Sequence, residues 1–308
     1  MATAVKTEGL TKTYRLLMHK DPVNAVSDLN LEVHEGEIFG FLGPNGAGKT
    51  TTIKMLLGLA YPTSGQAWVL GQPAGDIEVK RSISYLPESP YFYDYMTGPE
   101  LINFYASLFG IPASERRTKT DELLGLVGLY RDRHKPLSQY SKGMLQRIGI
   151  AQALVNDPKL LFFDEPTSGL DPIAHAEIRD LILRLRDEGR TVFLSSHQLS
   201  DVEMVCDRVA ILNRGKLLKT GKLDELLFGG SVKIIAEGAD APTIEKLKTL
   251  TKQVLAEDGR VFLTVDDSEA ACEAIDLIRA VKGRVLSVIP QKQTLEDLFV
   301  EIIKEGNK

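Results

Sequence analysis

A glycine-rich segment at residues 43–50 matches the pattern G-x-x-x-x-G-K-[ST] between a predicted strand and a predicted helix. The glycines let consecutive backbone N–H groups converge on phosphate oxygens, and the positive end of the following helix favours the same anion. The lysine reaches the β- and γ-phosphates, and the last hydroxyl ligates magnesium. We expect a nucleoside triphosphate to contact Gly43, Pro44, Asn45, Gly46, Ala47, Gly48, Lys49, Thr50 and Thr51.

Two adjacent acids, Asp164 and Glu165, follow a continuous apolar run at residues 160–163. A carboxylate at the carboxyl end of a parallel strand lies beside such a phosphate loop, where Asp164 can hold magnesium directly or through water. Glu165 is then placed to polarise the attacking water. A solvated strand end could also carry two acids, but the phosphate loop favours hydrolysis of a triphosphate with magnesium.

The elements that must position these residues follow an α/β order. Apolar runs bounded by turn residues predict strands, and apolar spacing of three and four residues predicts helices. Thr97 and Glu100 form a capping-box pattern, and Asp171 and Pro172 supply a cap and a first-turn proline. The predicted strands are residues 29–33, 38–42, 67–70, 160–163, 191–194 and 208–212. The predicted helices are residues 50–59, 97–108, 116–127, 143–154 and 172–189.

The composition changes at residues 228–230, a Phe-Gly-Gly sequence that we interpret as a linker. Beyond it, the pattern predicts a small α+β domain. Its predicted strands are residues 232–236, 261–265 and 284–288, and its predicted helices follow Pro242 and cover 269–281 and 295–303. We therefore predict two domains, residues 1–228 and 231–308.

Composition limits the class of protein and its partners. The chain has 308 residues, of which 43% are hydrophobic and 26% charged, as in globular proteins. Its net charge of -5 and pI near 5.7 argue against a nucleic-acid partner. Apolar runs stay well short of the ~18 residues of a membrane-spanning helix. Two cysteines, Cys206 and Cys272, indicate free thiols in a reducing compartment, so we expect a cytoplasmic location.

Further motifs resemble those of ATP-binding cassette (ABC) ATPases. Residues 164–172, DEPTSGLDP, resemble the Walker B motif and D-loop of that family, and residues 140–147, YSKGMLQR, resemble its signature motif. Residues 195–197, SSH, resemble the sequence of its switch histidine, and residues 85–90 occupy the place of its Q-loop. The motifs keep the family's order over residues 4–227. The resemblance implies an α/β P-loop NTPase cassette with an antiparallel β subdomain and an inserted helical subdomain, followed here by the α+β domain.

The resemblance also implies roles for individual residues. Tyr14 would stack on the adenine of ATP, and His197 would contact the γ-phosphate and the water as a sensor of hydrolysis. Ser141 and Gly143 would present hydroxyl and N–H groups to ATP held by the opposite subunit, so that two chains sandwich two nucleotides. Asp171 would cross the dimer interface, although helix capping alone is a sufficient reason for it.

Three departures from the family pattern stand out. The Q-loop position, a further expected magnesium ligand, is Glu88 rather than glutamine. Lys142 and Met144 replace a glycine and a glutamine of the signature motif. The chain is also a few residues longer than usual around residues 16–22. The signature variant and the TLEDLF sequence at residues 294–299 resemble a branch of cassettes that serve two-component exporters.

The resemblance implies an ATPase subunit that powers a separate integral-membrane permease, most consistently an exporter, from the inner face of the cell membrane. ATP would close a dimer with a second ATP-binding subunit, and hydrolysis would reopen it. An importer ATPase and a soluble cassette ATPase acting on ribosomes or DNA are the alternatives. A single cassette without sustained heptads disfavours the latter. The transported substrate and the choice between homodimer and heterodimer stay open, as does the role of the C-terminal domain in regulation, dimer stabilisation or packing.

Overall fold

A computed structural model describes residues 2–15, 22–251, 253–292 and 294–305. Most of the additional segment expected at residues 16–22 lies outside the described residues. By its internal contacts the chain divides into two compact units, the first ending at Gly221 and the second covering residues 222–304. The division falls a few residues before the predicted one.

The first unit is built from two sheets and seven α-helices among the residues described. Its strands are β1 (Thr3–Tyr14), β2 (Val23–His34), β3 (Ile38–Leu42), β4 (Ser64–Val69), β5 (Gln72–Pro73), β6 (Ile83–Leu86), β7 (Leu160–Asp164), β8 (Thr191–Ser196), β9 (Arg208–Asn213) and β10 (Lys216–Lys222). Its helices are α1 (Lys49–Leu56), α2 (Ile77–Lys80), α3 (Gly98–Leu108), α4 (Ala113–Leu126), α5 (Lys142–Ala153), α6 (Pro172–Asp187) and α7 (Leu199–Val205).

A six-stranded sheet in the order β10-β9-β3-β8-β7-β6 forms the centre of this unit. The five strands from β9 to β6 in this order are parallel to one another, and every residue of β3, β7 and β8 is buried. Such continuous burial is expected where helices cover both faces of a parallel sheet. The carboxyl ends of β3, β7 and β8 therefore open at one edge, where the residues that follow them can meet.

The second sheet of the unit has the order β2-β1-β4-β5 and is antiparallel. Helices α3, α4 and α5 lie between β6 and β7 in the chain. The predicted capping box opens α3, since Glu100 Oε2 accepts hydrogen bonds from Thr97 N at 2.8 Å and Thr97 Oγ1 at 2.9 Å. The predicted α/β cassette with an antiparallel sheet and an inserted helical segment is thus confirmed.

The second unit contains a β-α-β-β-α-β sequence of the ferredoxin-like type. Its elements are α8 (Leu223–Leu227), β11 (Phe228–Glu237), α9 (Ala241–Leu250), β12 (Gln253–Glu257), β13 (Arg260–Val265), α10 (Ser268–Ala280), β14 (Arg284–Lys292) and α11 (Leu295–Glu305). The sheet has the antiparallel order β12-β13-β11-β14. Ile234, Leu263 and Ile278 are central members of its apolar core.

One sequence prediction about this unit was wrong. Residues 228–230, interpreted as a linker, belong to strand β11. The two glycines coincide with an interruption in pairing, because the register between β11 and β14 shifts between Phe228 and Val232. Glycine weakens a strand without preventing it, so the Phe-Gly-Gly sequence marks an irregular strand start rather than a connection between units.

Both cysteines are free thiols, Cys206 buried and Cys272 exposed. Across the part of the chain that the structure describes, no helix is long and apolar enough to cross a membrane.

Candidate active site

The glycine-rich segment forms the connection from β3 to α1. Gly48 caps α1 with a φ of 106°, and a Cβ atom there would lie 2.3 Å from the carbonyl oxygen of Ala25. A side chain is therefore excluded by both conformation and space. Gly46, with a φ of 79°, is the second left-handed residue of the loop. These turns direct the loop into the amino end of α1, which is where backbone N–H groups can bind phosphate.

Lys49, the first residue of α1, lies folded back over the loop. Its side chain is only 7% exposed, and its Nζ donates a hydrogen bond to the carbonyl oxygen of Gly43 at 2.7 Å. The same Nζ lies 3.1 Å from Oε1 of Glu165, whose side chain is 9% exposed. That oxygen accepts no aligned hydrogen bond from the described residues. A buried charge needs a partner, and here the ammonium ion supplies it.

Asp164 ends β7 and is held by two hydroxyl groups. Ser195 Oγ, on the neighbouring strand β8, donates to Oδ1 at 2.5 Å, and the Tyr85 hydroxyl on β6 lies 3.5 Å from Oδ2. Burial, together with the carboxylate of Asp164 beside it, raises the pKa of Tyr85 to about 12. The phenol therefore stays a neutral donor toward a carboxylate that is fixed at the sheet edge.

Glu165 has a left-handed backbone with a φ of 52°, which is uncommon for a residue other than glycine. Its N–H lies 3.1 Å from the carbonyl oxygen and 3.2 Å from Oγ of Ser195. Oε2 of Glu165 lies 2.7 Å from Nδ1 of His197 and accepts from the His197 N–H at 3.2 Å. Since the carboxylate is an acceptor, we assign a proton to Nδ1. Glu165 is thus placed between the lysine and the histidine.

A cavity of about 710 Å³ opens over these groups, a volume within the usual range for small-molecule sites. It brings together most of the residues that the sequence predicted. Those lining it are Tyr14, Pro44, Asn45, Gly46, Ala47, Gly48, Lys49, Thr50, Thr51, Glu88, Glu165 and His197. Gly43 and Asp164 do not line the cavity. The carbonyl oxygen of Gly43 accepts from Lys49 Nζ, and Asp164 directly precedes Glu165 in the chain.

The three residues predicted to contact the nucleotide of the opposite subunit do not line the cavity either. Ser141 caps α5, where its Oγ accepts from Met144 N at 3.3 Å, and Asp171 caps α6, where Oδ1 accepts from the N–H groups of Ile173 and Ala174 at 3.0 Å. Gly143 packs on α6, and a Cβ there would lie 2.7 Å from Cβ of Ala174. Within one chain these residues have structural roles, and their contact with a nucleotide on another subunit stays a prediction.

Several residues of the site were not predicted. Ser195 is fully buried and holds both acids, and its hydroxyl within the apolar strand β8 was an available signal. Arg214 also lines the cavity and has a left-handed φ of 48°, but its turn carries no motif that would single it out. Ser168, Asn24 and Ala25 also line the cavity, although none of them was predicted as a site residue.

Thr50, Asp164 and Glu88, the predicted magnesium ligands, offer only oxygen donors. Magnesium prefers such ligands and is often held by one or two carboxylates together with phosphate oxygens. The donor set therefore fits this ion better than it fits zinc, for which nitrogen and sulfur ligands are usual.

Comparison with known proteins gives consistent results. The profile of the ABC transporter family matches residues 26–168. An uncharacterized ABC transporter ATP-binding protein of Nostoc sp. (strain PCC 7120) is 44% identical over 306 residues, which cover 98% of this chain and 90% of that protein. The bacitracin transport ATP-binding protein BcrA of Enterococcus faecalis is 38% identical over 99% of this chain and 98% of its own length.

Solved structures agree with the sequence relatives. The dimeric ATP-binding cassette MJ0796, in a post-hydrolysis state bound to ADP and phosphate, matches with a TM-score of 0.65 and 27% identity. The match covers 71% of this chain and 98% of that cassette. CbiO1 of Clostridium perfringens, part of an ABC transporter complex, matches with a TM-score of 0.67 and 27% identity over 81% of this chain and 96% of its own.

Proposed function

Because the chain belongs to the ABC transporter family, as an ATP-binding protein of that family, we propose that it hydrolyses ATP to power export through a separate membrane permease. The observation that carries the proposal is the cavity in which the phosphate loop, Glu165 and His197 meet. The likeness to proteins named for bacitracin transport supports transport as the coupled process.

ATP would occupy the cavity with its phosphates on the N–H groups of the glycine-rich loop. Tyr14, which is 37% exposed and lines the cavity, would stack on the adenine. Thr50 and Asp164 would hold magnesium, with Glu88 as a further ligand. When bound, the ion neutralises the phosphate charge during phosphoryl transfer.

Glu165 is proposed as the general base. In the structure its carboxylate is occupied by Lys49 on one side and His197 on the other. A lysine that turns to the phosphates would leave Oε1 without its counter-ion and raise the basicity of the carboxylate beside the attacking water. The Lys49–Glu165 pair would thus keep the base inactive until ATP arrives. His197 would orient the water and contact the γ-phosphate.

A second ATP-binding subunit completes the proposed site. Ser141, Gly143 and Asp171 do not line the cavity of their own chain, which is compatible with their assignment to ATP held by a partner. The dimeric cassettes among the structural relatives support this arrangement. The chain would then work as a dimer at the inner face of the membrane.

The proposed permease contact lies in the connection between β6 and α3. Tyr91, Tyr93 and Tyr95 are 90%, 54% and 74% exposed, and the rings of the latter two lie 5.7 Å apart. Exposed aromatic clusters mark interaction surfaces, because such rings gain most from burial against a partner. The cluster follows Glu88, so a metal ligand and a permease contact would share one loop.

Co-purification of the chain with integral-membrane proteins of its own cell tests the proposal. We expect Tyr91→Ala combined with Tyr95→Ala to lose the permease while ATP binding is retained. Tyr61→Ala, which removes a tyrosine that is 81% exposed elsewhere, is the matched control. Retention of the permease by the double variant would contradict the assigned surface, and the absence of any membrane partner would contradict the transport role.

Glu88→Gln tests the metal assignment. A neutral amide oxygen is a weaker magnesium ligand than a carboxylate, but it also avoids repulsion with the γ-phosphate, so the two effects largely cancel. We expect magnesium affinity to fall by about tenfold at most, or ~1.4 kcal/mol, with ATPase activity retained. Glu88→Ala should uncouple transport from hydrolysis. The test measures the ATPase rate as a function of free magnesium, and transport, for both variants. If neither variant differs from the wild type, Glu88 is not a residue of the site.

A further inference from the structure

Behind the cavity, one buried carboxylate joins two loops of the site. Asp201, in the first turn of α7, is 9% exposed. Its Oδ2 accepts a hydrogen bond from the buried Thr167 Oγ1 at 2.9 Å. The same oxygen lies 2.8 Å from Nε2 of His175. Asp201 does not line the cavity, so its role is not contact with the nucleotide.

The two donors come from opposite ends of the segment that carries Asp171. Thr167 precedes this segment, and His175 follows it in the first turns of α6. Within the segment, Gly169 has a left-handed φ of 66° and Leu170 N donates to the Thr167 carbonyl oxygen at 3.3 Å. A single carboxylate oxygen therefore holds both ends of the loop of residues 168–171.

The same cluster reaches the loop that carries His197. Nε2 of His175 also lies 2.8 Å from Oε1 of Gln198, and since both neighbours are acceptors we assign the ring hydrogen to Nε2. Gln198 N in turn donates to Ser196 Oγ at 3.0 Å. These contacts flank His197, which is bound to Glu165 at 2.7 Å.

On its other side, the segment packs against the beginning of α5. A Cβ atom on Gly169 would lie 2.5 Å from Nζ of Lys142, and one on Gly143 would lie 2.7 Å from Cβ of Ala174. The start of α5 is therefore in close contact with the segment of residues 168–174. That start carries Ser141 and Gly143, the groups assigned to the nucleotide of the partner subunit.

We propose that Asp201 is a positioning residue that couples the two nucleotide sites of the dimer. Asp201 holds residues 168–171 at both ends. It thereby fixes the position of this segment, which contacts α5, relative to Glu165 and His197. Closure of the partner on one ATP is thereby transmitted to the hydrolytic pair at the other. This inference rests on the proposed function, because it needs ATP hydrolysis by a two-site dimer.

The physical basis is that misplacing a catalytic pair by about 1 Å can cost two orders of magnitude in rate without a loss of binding. Removing the carboxylate takes the shared acceptor from Thr167 and His175, and leaves Nε2 of His175 with Gln198 Oε1 as its acceptor. Asparagine keeps an acceptor oxygen at the same position, so Asp201→Asn should retain much of what Asp201→Ala loses. Because asparagine also fills the same volume, Asp201→Leu separates the acceptor role from packing: leucine has a similar size without an acceptor and should lose kcat as Asp201→Ala does, whereas a residue needed only for packing would be rescued by it.

The test measures steady-state ATP hydrolysis and the binding of a fluorescent ATP analogue by the full chain. For Asp201→Ala we expect kcat to fall by about tenfold or more, analogue affinity to stay within about twofold, and the dependence of rate on ATP to lose its cooperativity. Asp201→Asn should recover at least half of the lost kcat. Asp180→Ala removes an exposed carboxylate on α6 outside the cluster and should match the wild type.

An unchanged kcat in Asp201→Ala, or equal losses in the alanine and asparagine variants, would overturn the inference. If Asp201→Ala fails to fold, the near-isosteric Thr167→Val removes only one donor, and its kcat must fall severalfold with unchanged melting temperature for the inference to stand. A wild-type chain that binds ATP without hydrolysing it would instead overturn the proposed function, and the coupling role with it.

Discussion

The two units of the chain differ in what they bury. The first unit encloses ionisable side chains as well as apolar ones, among them Lys49, Asp164, Glu165 and Asp201. In the described part of the second unit, the buried polar side chains are those of Thr243 and Thr251. Burying a charge is costly unless it is paired, and paired charges are often replaceable by apolar groups without loss of stability. The difference is the one expected if the charges of the first unit serve the proposed chemistry, and the predictions below test it.

A single backbone conformation illustrates the same contrast. Glu165 and Asp258 have nearly equal left-handed φ values of 52° and 51°. Asp258 precedes Gly259 in the two-residue turn between β12 and β13, where positive φ at both positions matches the twist of a hairpin. Glu165 lies buried at a strand end, held by Ser195, and there the conformation aims a carboxylate at Lys49 and His197. The first use makes a turn, and the second positions the proposed general base.

The largest effect should follow from Lys49→Ala. The loss of a charge-assisted contact to a triphosphate should weaken ATP binding by roughly 2–3 kcal/mol or more, or about a hundredfold. It also leaves the buried carboxylate of Glu165 without its counter-ion, so we expect a lower melting temperature in the absence of ATP. Isothermal titration and thermal unfolding measure the two effects.

Lys54→Ala is the matched control, since Lys54 is an exposed lysine on the same helix α1. It should change neither quantity. If Lys49→Ala lowers the melting temperature but binds ATP normally, the buried pair is structural and the contrast between the units disappears.

A second prediction compares the two cores. Ile234 in the second unit and Ile178 in the first are both fully buried. Replacing either by alanine removes three carbon atoms from a packed interior, and each should cost about 3 kcal/mol of unfolding free energy in its own unit. We expect Ile178→Ala to weaken ATP binding at temperatures near the melting temperature of that variant. Ile234→Ala should leave the ATP affinity unchanged.

Denaturation followed both by nucleotide binding and by circular dichroism checks this prediction. Loss of ATP affinity in Ile234→Ala at temperatures where the first unit is folded would show that the second unit supports the site. The separation of chemistry from folding would then be incorrect.

The smallest predicted effect is a pH dependence from Tyr85. The folded protein keeps this phenol neutral up to about pH 12, whereas the unfolded chain releases its proton near pH 10. The contribution of Tyr85 to stability is therefore complete below pH 10 and is lost as the pH rises to 12. Because the ring is only partly buried, the slope should be less than about 1 kcal/mol per pH unit.

Tyr85→Phe should remove this part of the alkaline loss, which chemical denaturation between pH 9 and 12 would measure. Tyr61→Phe, at an exposed position, provides the control. Equal slopes for Tyr85→Phe and the wild type would mean that the Tyr85 hydroxyl does not contribute to holding Asp164.

Much of the first unit could be predicted because local signals agree with the tertiary structure. Strand β3 was predicted at its observed limits, and Thr97 and Asp171 cap the helices expected from them. The glycine-rich loop and the two acids at the end of β7 could be placed in the fold because motif and strand end coincide. Ser195 and Asp201 were missed, since each acts across the fold on residues distant in the chain.

In the second unit, prediction failed where local signals were weak or were overlooked. Strand β12 was not predicted, although the Asp258-Gly259 dipeptide is a hairpin signal that could have revealed it. The Phe-Gly-Gly sequence was read as a linker because glycine favours turns, but pairing with β13 and β14 stabilises β11 regardless. Pairing with neighbouring strands can override a weak local strand propensity, and the local sequence does not show which strands will pair.

Single-turnover hydrolysis of ATP by Glu165→Gln, compared with the wild type in the presence of magnesium, tests the central assignment most directly. We predict that the variant binds ATP with near wild-type affinity, hydrolyses it at least about 100-fold more slowly for lack of a general base, and accumulates an ATP-dependent dimer in light scattering. A hydrolysis rate within a few-fold of the wild type would contradict the role of Glu165 and, with it, the catalytic interpretation of the cavity.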